Sequence, residues 1–207
     1  MKLVERDYII LREVSRWRFL LGRHIKVLCG FSSVSACDKR LKILIEAKYL
    51  SREKYLYGVP GLYTITHKGR ILLGMNKRED KIRVDRITHD IYVIEAVIYF
   101  IKKYQLALAD ILSEKELHIN DGFSNRKHHP DFVFIFAGER CAVEIELSPK
   151  SKERLEKNIE DNCRNFDKQI WITNDKKVFS LIGDFARTYA NIEILNLEDV
   201  FLSNVCE

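Results

Sequence analysis

The chain has 207 residues, of which 46% are hydrophobic and 31% are charged, and its formal net charge is +5. This composition excludes a disordered tail and allows a buried core in one or two domains. Charges interrupt the apolar stretches well before membrane-spanning length and the first residues do not resemble a signal peptide, so we expect a cytoplasmic protein with no membrane partner. The five cysteines lack Cys-x-x-Cys spacing, which favours reduced core thiols. The positive charge permits a nucleic-acid partner.

The first 75 residues predict a succession of short amphipathic helices and a hairpin. The predicted elements are helices over 8–20, 23–28 and 33–48, strands over 49–52 and 62–65, and a helix from 66 onward. Gly30 is placed to end the second helix as a C-cap glycine does. Ser32 or Ser33 can N-cap the third helix. The exposed face of that helix is basic and is rich in small residues at its N-terminal end.

Residues 76–86 are polar and of mixed charge, which predicts a linker between a domain over 1–75 and a domain over 87–207. In the second domain the predicted elements are a helix over 88–103, strands over 106–114, 131–136 and 141–147, a helix over 151–164, a strand over 169–173, a helix over 176–189 and a strand over 192–195. The chain is therefore expected to be an α+β protein of two domains, the second in the order αβββαβ with an additional αβ.

Three acids and a lysine stand out in the second domain. Asp131 opens one predicted strand, and Glu144 and Glu146 lie on the next strand with a spacing that turns both side chains to one face. Carboxylates that converge on an apolar strand need a compensating cation, and a hard divalent ion such as Mg²⁺ takes carboxylate oxygens. Lys150 follows closely and could supply further positive charge. The pattern predicts a metal-dependent phosphodiesterase site.

A second interpretation of the same residues remains open. Glu144 and Glu146 could instead lie on the solvent face of an amphipathic edge strand, with Lys150 as a surface partner. His128 and His129, just before Asp131, could contact a phosphate group or simply belong to a loop.

The N-terminal pattern resembles the winged-helix DNA-binding domain, because residues 62–74, Leu-Tyr-Thr-Ile-Thr-His-Lys-Gly-Arg-Ile-Leu-Leu-Gly, are similar to the closing segment of that fold. The resemblance implies that the helix from Ser33 is a recognition helix followed by a wing. It places the following residues against DNA: Ser35, Lys39 and Lys42 on the helix, and Arg52, Lys54 and Tyr55 on the wing. The alternative is a winged helix that serves only as a dimerisation module.

The second domain resembles the PD-(D/E)xK restriction-endonuclease-like fold. Asp131 and Glu144 stand at the positions of the two acids in that motif, but Glu146 occupies the usual place of the lysine. Lys150 is the nearest replacement for that lysine.

The domain order and three segments, 113–117, 129–132 and 144–151, resemble the replication-relaxation family, which includes the MobC-type relaxases of mobilisable plasmids. The resemblance implies a DNA-nicking enzyme at a plasmid origin in mobilisation or replication, with other relaxosome or replication proteins as partners. Asp131 and Glu144, together with Glu146 or Glu114, would hold Mg²⁺ or Mn²⁺, and Lys150 would orient a water molecule. The alternative is a non-catalytic DNA-binding regulator that keeps the nuclease fold as a scaffold.

Overall fold

The computed structural model describes residues 2–75, 81–122, 128–149 and 151–205. Within these ranges the chain is a mixed α+β protein with nine α-helices and two β-sheets, so the predicted α+β class is confirmed. Its contacts divide it into two compact units, Met1–Ile94 and Glu95–Glu207. Of the helices in the described ranges, none combines the length and the apolar character that crossing a membrane requires.

The N-terminal unit consists of four helices and a hairpin before the first part of helix α5. Its elements are α1 (Glu5–Arg16), α2 (Gly22–Leu28), α3 (Val34–Glu46), β1 (Leu50–Glu53), β2 (Leu62–Ile65) and α4 (His67–Leu72). The two strands pair antiparallel, and Leu20 forms an isolated bridge with Tyr63 at the other side of β2. The predicted helices and strands of this part are present, but the extension of the first helix to residue 20 is wrong, because the chain turns at Arg18 with a φ of 68° and Leu20 pairs with Tyr63.

The ends of α2 and α3 follow the capping signals in the sequence. After α2 the chain turns through Gly30, whose φ of 64° lies in the left-handed region that glycine adopts without strain. The Gly30 N–H donates to the Val27 carbonyl at 3.2 Å and the Phe31 N–H donates to the Lys26 carbonyl at 2.9 Å, which is a Schellman motif. Ser33 then caps α3, because its hydroxyl oxygen accepts the N–H of Ala36 at 3.2 Å.

An ion pair between a buried carboxylate and a half-buried guanidinium fixes α3 against α1. Asp7 is fully buried, and Arg40 donates from Nε to Asp7 Oδ1 at 2.6 Å and from its second guanidinium nitrogen to Asp7 Oδ2. The hydrogen bond from Arg40 to this carboxylate raises the pKa of Arg40 above its ordinary value. The Val4 N–H also donates to Asp7, at 2.8 Å. Asp7 therefore holds the N-terminus of α1 and the middle of α3 together.

The division between the units falls inside α5 (Ile87–Tyr104), later than the predicted linker over 76–86. The physical reason is that Ile87 and Ile91 are buried in one cluster with Phe19 and Leu62, so the first turns of α5 complete the N-terminal core. Residues 76–80 of the predicted linker lie outside the described residues, and 84–86 form a short 3₁₀ helix. The predicted domain limits stay a prediction.

The C-terminal unit is built around a five-stranded mixed sheet in the order β3-β4-β5-β6-β7. Its elements after α5 are β3 (Ile111–Ser113), α6 (Glu114–Asn120), β4 (Phe132–Phe136), β5 (Glu139–Ile145), α7 (Lys152–Asn165), β6 (Lys168–Thr173), α8 (Lys176–Ala186), β7 (Ile192–Asn196) and α9 (Leu197–Val205). Strands β3, β4 and β5 pair antiparallel, whereas β5, β6 and β7 pair parallel through the helices α7 and α8.

Helices cover both faces of this sheet. On one face Trp171 of β6 is fully buried among Leu155 and Ile159 of α7 and Val178 of α8. On the other face Phe100 of α5 packs against Phe132 and Phe134 of β4, with ring centroids 6.2 and 4.9 Å apart. Residues on alternate positions of the central strands are therefore buried on both sides, as the near-continuous apolar runs of these strands indicate.

The predicted strand over 106–114 is wrong at both ends. A 3₁₀ turn occupies 108–110, the strand is only Ile111–Ser113, and α6 begins at Glu114. The Ser113 hydroxyl accepts the Glu116 N–H at 3.4 Å, and the Glu116 carboxylate accepts the Ser113 N–H at 2.8 Å. This reciprocal arrangement is a capping box, so the sequence Ser-Glu-Lys-Glu starts a helix rather than ending a strand.

Candidate functional site

The residues predicted to meet DNA lie on the surface of the N-terminal unit. We call them the basic face: Ser35, Lys39, Lys42, Arg52, Lys54 and Tyr55, all exposed. The third helix turns Ser35, Lys39 and Lys42 to solvent because Cys37, Leu41 and Leu44 form its buried stripe.

Weak local contacts orient the side chains of the basic face. The Arg52 guanidinium lies 5.3 Å from the ring centroid of Tyr63, and the Lys54 ammonium lies 5.6 Å from that of Tyr57. Lys42 is 4.0 Å from Glu46, one turn along the helix. Exposed ion pairs and cation–π contacts of this kind contribute little stability, so these cations remain available to a ligand.

A cavity of about 210 Å³ lies between α2, α3 and the hairpin. Three cationic side chains line it, Arg23 and Lys26 of α2 and Arg52 of β1, together with Asp38 of α3. Burial raises the pKa of Tyr63, whose ring forms another wall. Arg23 and Lys26 were missed by the sequence analysis, although cations three residues apart on one short helix share a face and could have been noticed.

The acids of the C-terminal unit lie in a row at one end of its sheet. Ser113 pairs with Phe132 at the end of β3 and β4, so the next residues, Glu114 and Asp131, lie side by side. Phe132 pairs with Val143 of β5, so Asp131 also lies beside Glu144. The Glu114 N–H donates to the Asp131 carbonyl at 3.0 Å, and the Ile145 N–H donates to Asp131 Oδ2 at 2.8 Å. Glu146 follows two residues after Glu144. We call these four acids the acid row.

Burial distinguishes the two interpretations of the acidic strand. Glu144 and Glu146 are each only 4% exposed, so they do not lie on a solvent face. Glu144 stands beside the buried Trp171 in the parallel register, and the Glu146 N–H donates to the Ile172 carbonyl at 2.9 Å. The solvent-exposed edge-strand interpretation is therefore wrong, because β5 is a central strand with neighbours on both sides.

The Glu144 carboxylate has two partners that the sequence analysis did not identify. Glu144 Oε1 is within hydrogen-bonding distance of His128 Nε2, and it accepts a hydrogen bond from Asn162 Nδ2 of α7 at 3.0 Å. Asn162 is 1% exposed, and His128 belongs to the segment before β4. A buried carboxylate needs such partners because its desolvation is otherwise uncompensated. Asn162 could have been suspected as an amide on the buried stripe of α7.

A pair of histidines lies next to the acid row. The rings of His118 and His129 meet edge to face with centroids 4.3 Å apart. His118 lies 3.8 Å from Glu114, and His129 lies 3.4 Å from Asp121. Each histidine therefore faces a carboxylate.

The acid row has the donor chemistry of a divalent metal site, but the side chains are not gathered as ligands. Among the described residues, no group of three or more His, Cys, Asp or Glu side chains is placed to hold a metal ion. Glu144 Oε1 already meets His128 and Asn162, and one Asp131 oxygen accepts a backbone N–H. Lys150, the lysine predicted to serve the site, lies outside the described residues.

In comparisons with known proteins, no protein-family model matches the chain, and neither the curated proteins nor the solved structures contain a significant match.

Proposed function

We propose that this protein binds double-stranded DNA and that its N-terminal unit acts as a winged-helix domain. The order of three helices followed by a hairpin supports this proposal. The observation that carries it is the grouping of Arg23, Lys26 and Arg52 around one cavity beside the first turn of α3. Three cations around a concave surface can neutralise neighbouring phosphates of a DNA backbone.

The basic face extends this cationic cavity. In the proposed complex α3 enters the major groove, Ser35 and Lys39 approach base edges, and Lys42 meets phosphate. Arg52, Lys54 and Tyr55 contact the backbone from the hairpin. The Asp7–Arg40 pair fixes the position of α3 within its unit, so the helix need not become ordered when DNA binds.

The test is a comparison of two triple variants of the full chain. One carries Arg23→Ala, Lys26→Ala and Arg52→Ala. The control carries Arg164→Ala, Arg187→Ala and Lys157→Ala, which removes the same charges from exposed positions of the C-terminal unit. Fluorescence anisotropy with labelled duplex DNA is measured from 50 to 200 mM salt, a range of ~150 mM over which counterion release is readily measured.

We expect the first variant to bind about a hundredfold more weakly, and the slope of log K against log salt to fall by about 0.9 for each lost phosphate contact. The control should keep the slope of the wild type. Equal slopes in the two variants would remove this surface from the DNA interface.

A second candidate function is DNA nicking with Mg²⁺ or Mn²⁺, favoured by the acid row, in which the half-buried Asp131 lies beside the buried Glu144 on the neighbouring strand. Asp131, Glu144 and Glu146 or Glu114 would supply the oxygen ligands, and Lys150 would supply a nearby positive charge. When bound, such an ion polarises a phosphate and lowers the pKa of a water molecule. Because Glu144 already meets His128 and Asn162, this candidate requires that Glu144 exchange those partners.

Conversion of supercoiled plasmid to open circle tests the second candidate. A plasmid carrying a transfer or replication origin is incubated with wild type, Asp131→Asn, Glu144→Gln and the control Glu139→Gln, an exposed acid on the same strand. Nicking that needs Mg²⁺ or Mn²⁺ and falls at least about a hundredfold in the first two variants supports it. Binding of the origin without metal-dependent nicking supports a non-catalytic regulator that works with relaxosome or replication proteins.

A further inference from the structure

A second cavity, of about 560 Å³, lies at the edge of the C-terminal sheet where two parallel strands end. Thr173 is the last residue of β6 and Asn196 is the last residue of β7, and both line it. Its other wall is the first turn of α8. This volume is in the range of small-ligand sites.

An exposed aromatic ring belongs to the lining of this cavity. Phe179 is 46% exposed, although its neighbour Val178 is buried in the core, so the ring belongs to the outer face of α8. A large apolar ring that faces a cavity offers a surface on which another planar group can stack.

Polar and charged residues line the cavity around Phe179. Lys176 supplies a cation, and Asn174 supplies an amide with both donor and acceptor atoms. The Asp175 carboxylate is occupied, since Oδ1 accepts the N–H groups of Lys177 at 2.8 Å and Val178 at 3.1 Å. Glu198 adds a negative charge to the lining, which disfavours a ligand with several phosphates.

The cavity lies next to the acid row. The Glu146 N–H donates to the Ile172 carbonyl, so Glu146 continues the pairing of β5 with β6 and stands beside Thr173. Neighbouring strands are about 4.8 Å apart, so a ligand in the cavity is within one or two strand spacings of the acid row.

We propose that this cavity binds one unpaired nucleotide, whose base stacks on Phe179 and whose phosphate meets Lys176. Aromatic rings that stack an unpaired base, with a cation for the backbone, are the usual means of holding single-stranded nucleic acid. The inference rests on the proposed function only in taking nucleic acid as the ligand. It gives the C-terminal unit a role that duplex binding by the basic face does not supply.

The experiment uses the full chain with Arg23→Ala, Lys26→Ala and Arg52→Ala as background, so that the duplex surface is weakened. Binding of a labelled oligothymidine of ~12 nucleotides, a length of the order of one single-strand site, is followed by anisotropy. Phe179→Leu keeps an apolar side chain of similar size and removes the ring. Phe136→Leu is the matched control, because Phe136 is 40% exposed on β4 and is absent from the cavity lining.

We expect Phe179→Leu to bind the oligonucleotide about tenfold more weakly, as the loss of one base–aromatic stack implies. Lys176→Ala should lower the salt slope by about 0.7. Equal affinity of the Phe179→Leu and Phe136→Leu variants, or no binding by the background protein, would overturn the proposal.

Competition with thymidine monophosphate distinguishes the two sources of such a nucleotide. Displacement of the oligonucleotide at micromolar monophosphate identifies a free mononucleotide as the ligand, and displacement only above millimolar identifies a strand. Either result keeps the site. Failure of duplex binding in the separate test of Arg23, Lys26 and Arg52 would remove the proposed function and leave this result standing, since the two measurements probe different units.

Discussion

The basic face and the acid row differ in how much water reaches their charges. Lys39, Lys42 and Arg52 are exposed, whereas Glu144 and Glu146 are each only 4% exposed. An exposed charge costs the fold almost nothing and interacts with whatever ligand approaches. A buried charge must be matched by partners within the protein, and its loss is felt by the fold. The basic face of the N-terminal unit thus exposes its charges to solvent, whereas the C-terminal unit buries Glu144 and Glu146.

The N-terminal unit also contains a buried charge, and there the same rule holds. Asp7 is fully buried and paired with Arg40, on the same helix that presents Lys39 to solvent. Adjacent cations on α3 therefore have opposite roles. Changing one should affect stability and changing the other should affect only binding, which allows the comparison to be tested within a single helix.

The largest effect is expected for Arg40→Met. The substitution leaves the Asp7 carboxylate buried without its cation, and breaking such a pair costs about 3–5 kcal/mol of unfolding free energy. Urea unfolding measures the loss. Lys39→Met is the control and should change the unfolding free energy by less than about 0.5 kcal/mol.

A double-mutant cycle sharpens this result. Adding Asp7→Asn to Arg40→Met removes the unpaired charge and should recover more than about half of the loss. If Arg40→Met and Lys39→Met were equally stable, buried charge would not be what holds α3 in place.

Glu144→Ala is expected to have the next largest effect. The change removes the acceptor that meets His128 and Asn162, and it leaves the Asn162 amide buried. A lost buried acceptor together with lost side-chain volume costs about 2–4 kcal/mol. Glu139→Ala, at the exposed start of β5, should cost less than about 0.5 kcal/mol. Equal losses from the two variants, measured by urea unfolding, would show that the acid row is not enclosed as described.

The sequence predicted those parts of the fold that depend on neighbouring residues. Ser33 and Gly30 mark helix ends through contacts within three to five residues; the sequence identifies Gly30 and narrows the N-cap to Ser32 or Ser33. The alternation of Glu144 and Glu146 depends only on strand geometry. The capping box at Ser113 and Glu116 is equally local, so α6 was predictable and was misassigned because the apolar run before it suggested a longer strand.

The remaining parts of the site depend on contacts between distant residues. Glu144 meets Asn162 across 18 positions and His128 across 16, and no local pattern specifies these pairs. The burial of the acids likewise follows from the central place of β5 in the sheet, which is set by the crossover to β6. The cavity beside Phe179 forms where two strands and two helix starts meet, so it could not be inferred from any single segment.

The smallest expected effect is the change in the free energy of unfolding with pH that the buried thiols cause in each unit. Burial raises the pKa of Cys29 to about 12 and those of Cys37 and Cys141 to about 11. The first two lie in the N-terminal unit, and Cys141 lies in the C-terminal unit. In the unfolded chain a thiol ionises near its ordinary pKa of 9.0, whereas the folded protein keeps it protonated. The contribution of each thiol to the free energy of unfolding is therefore fully present below pH 9 and is lost as the pH rises towards 11 for Cys37 and Cys141 and towards 12 for Cys29, by about 1 kcal/mol per thiol at pH 10.

One tryptophan in each unit separates the two contributions. Trp17 reports on the N-terminal unit and Trp171 on the C-terminal unit, so Trp171→Phe and Trp17→Phe proteins can be unfolded in urea at pH 8 and pH 10, about one unit on either side of the ordinary thiol pKa. With two raised thiols against one, the transition seen by Trp17 should lose about twice as much free energy as that seen by Trp171. Cys37→Ala should reduce the pH dependence seen by Trp17 and leave that of Trp171 unchanged. Identical pH dependence at the two tryptophans would mean that the buried thiols do not affect the unfolding of the two units differently. The contrast between the units would then be confined to their surface charge.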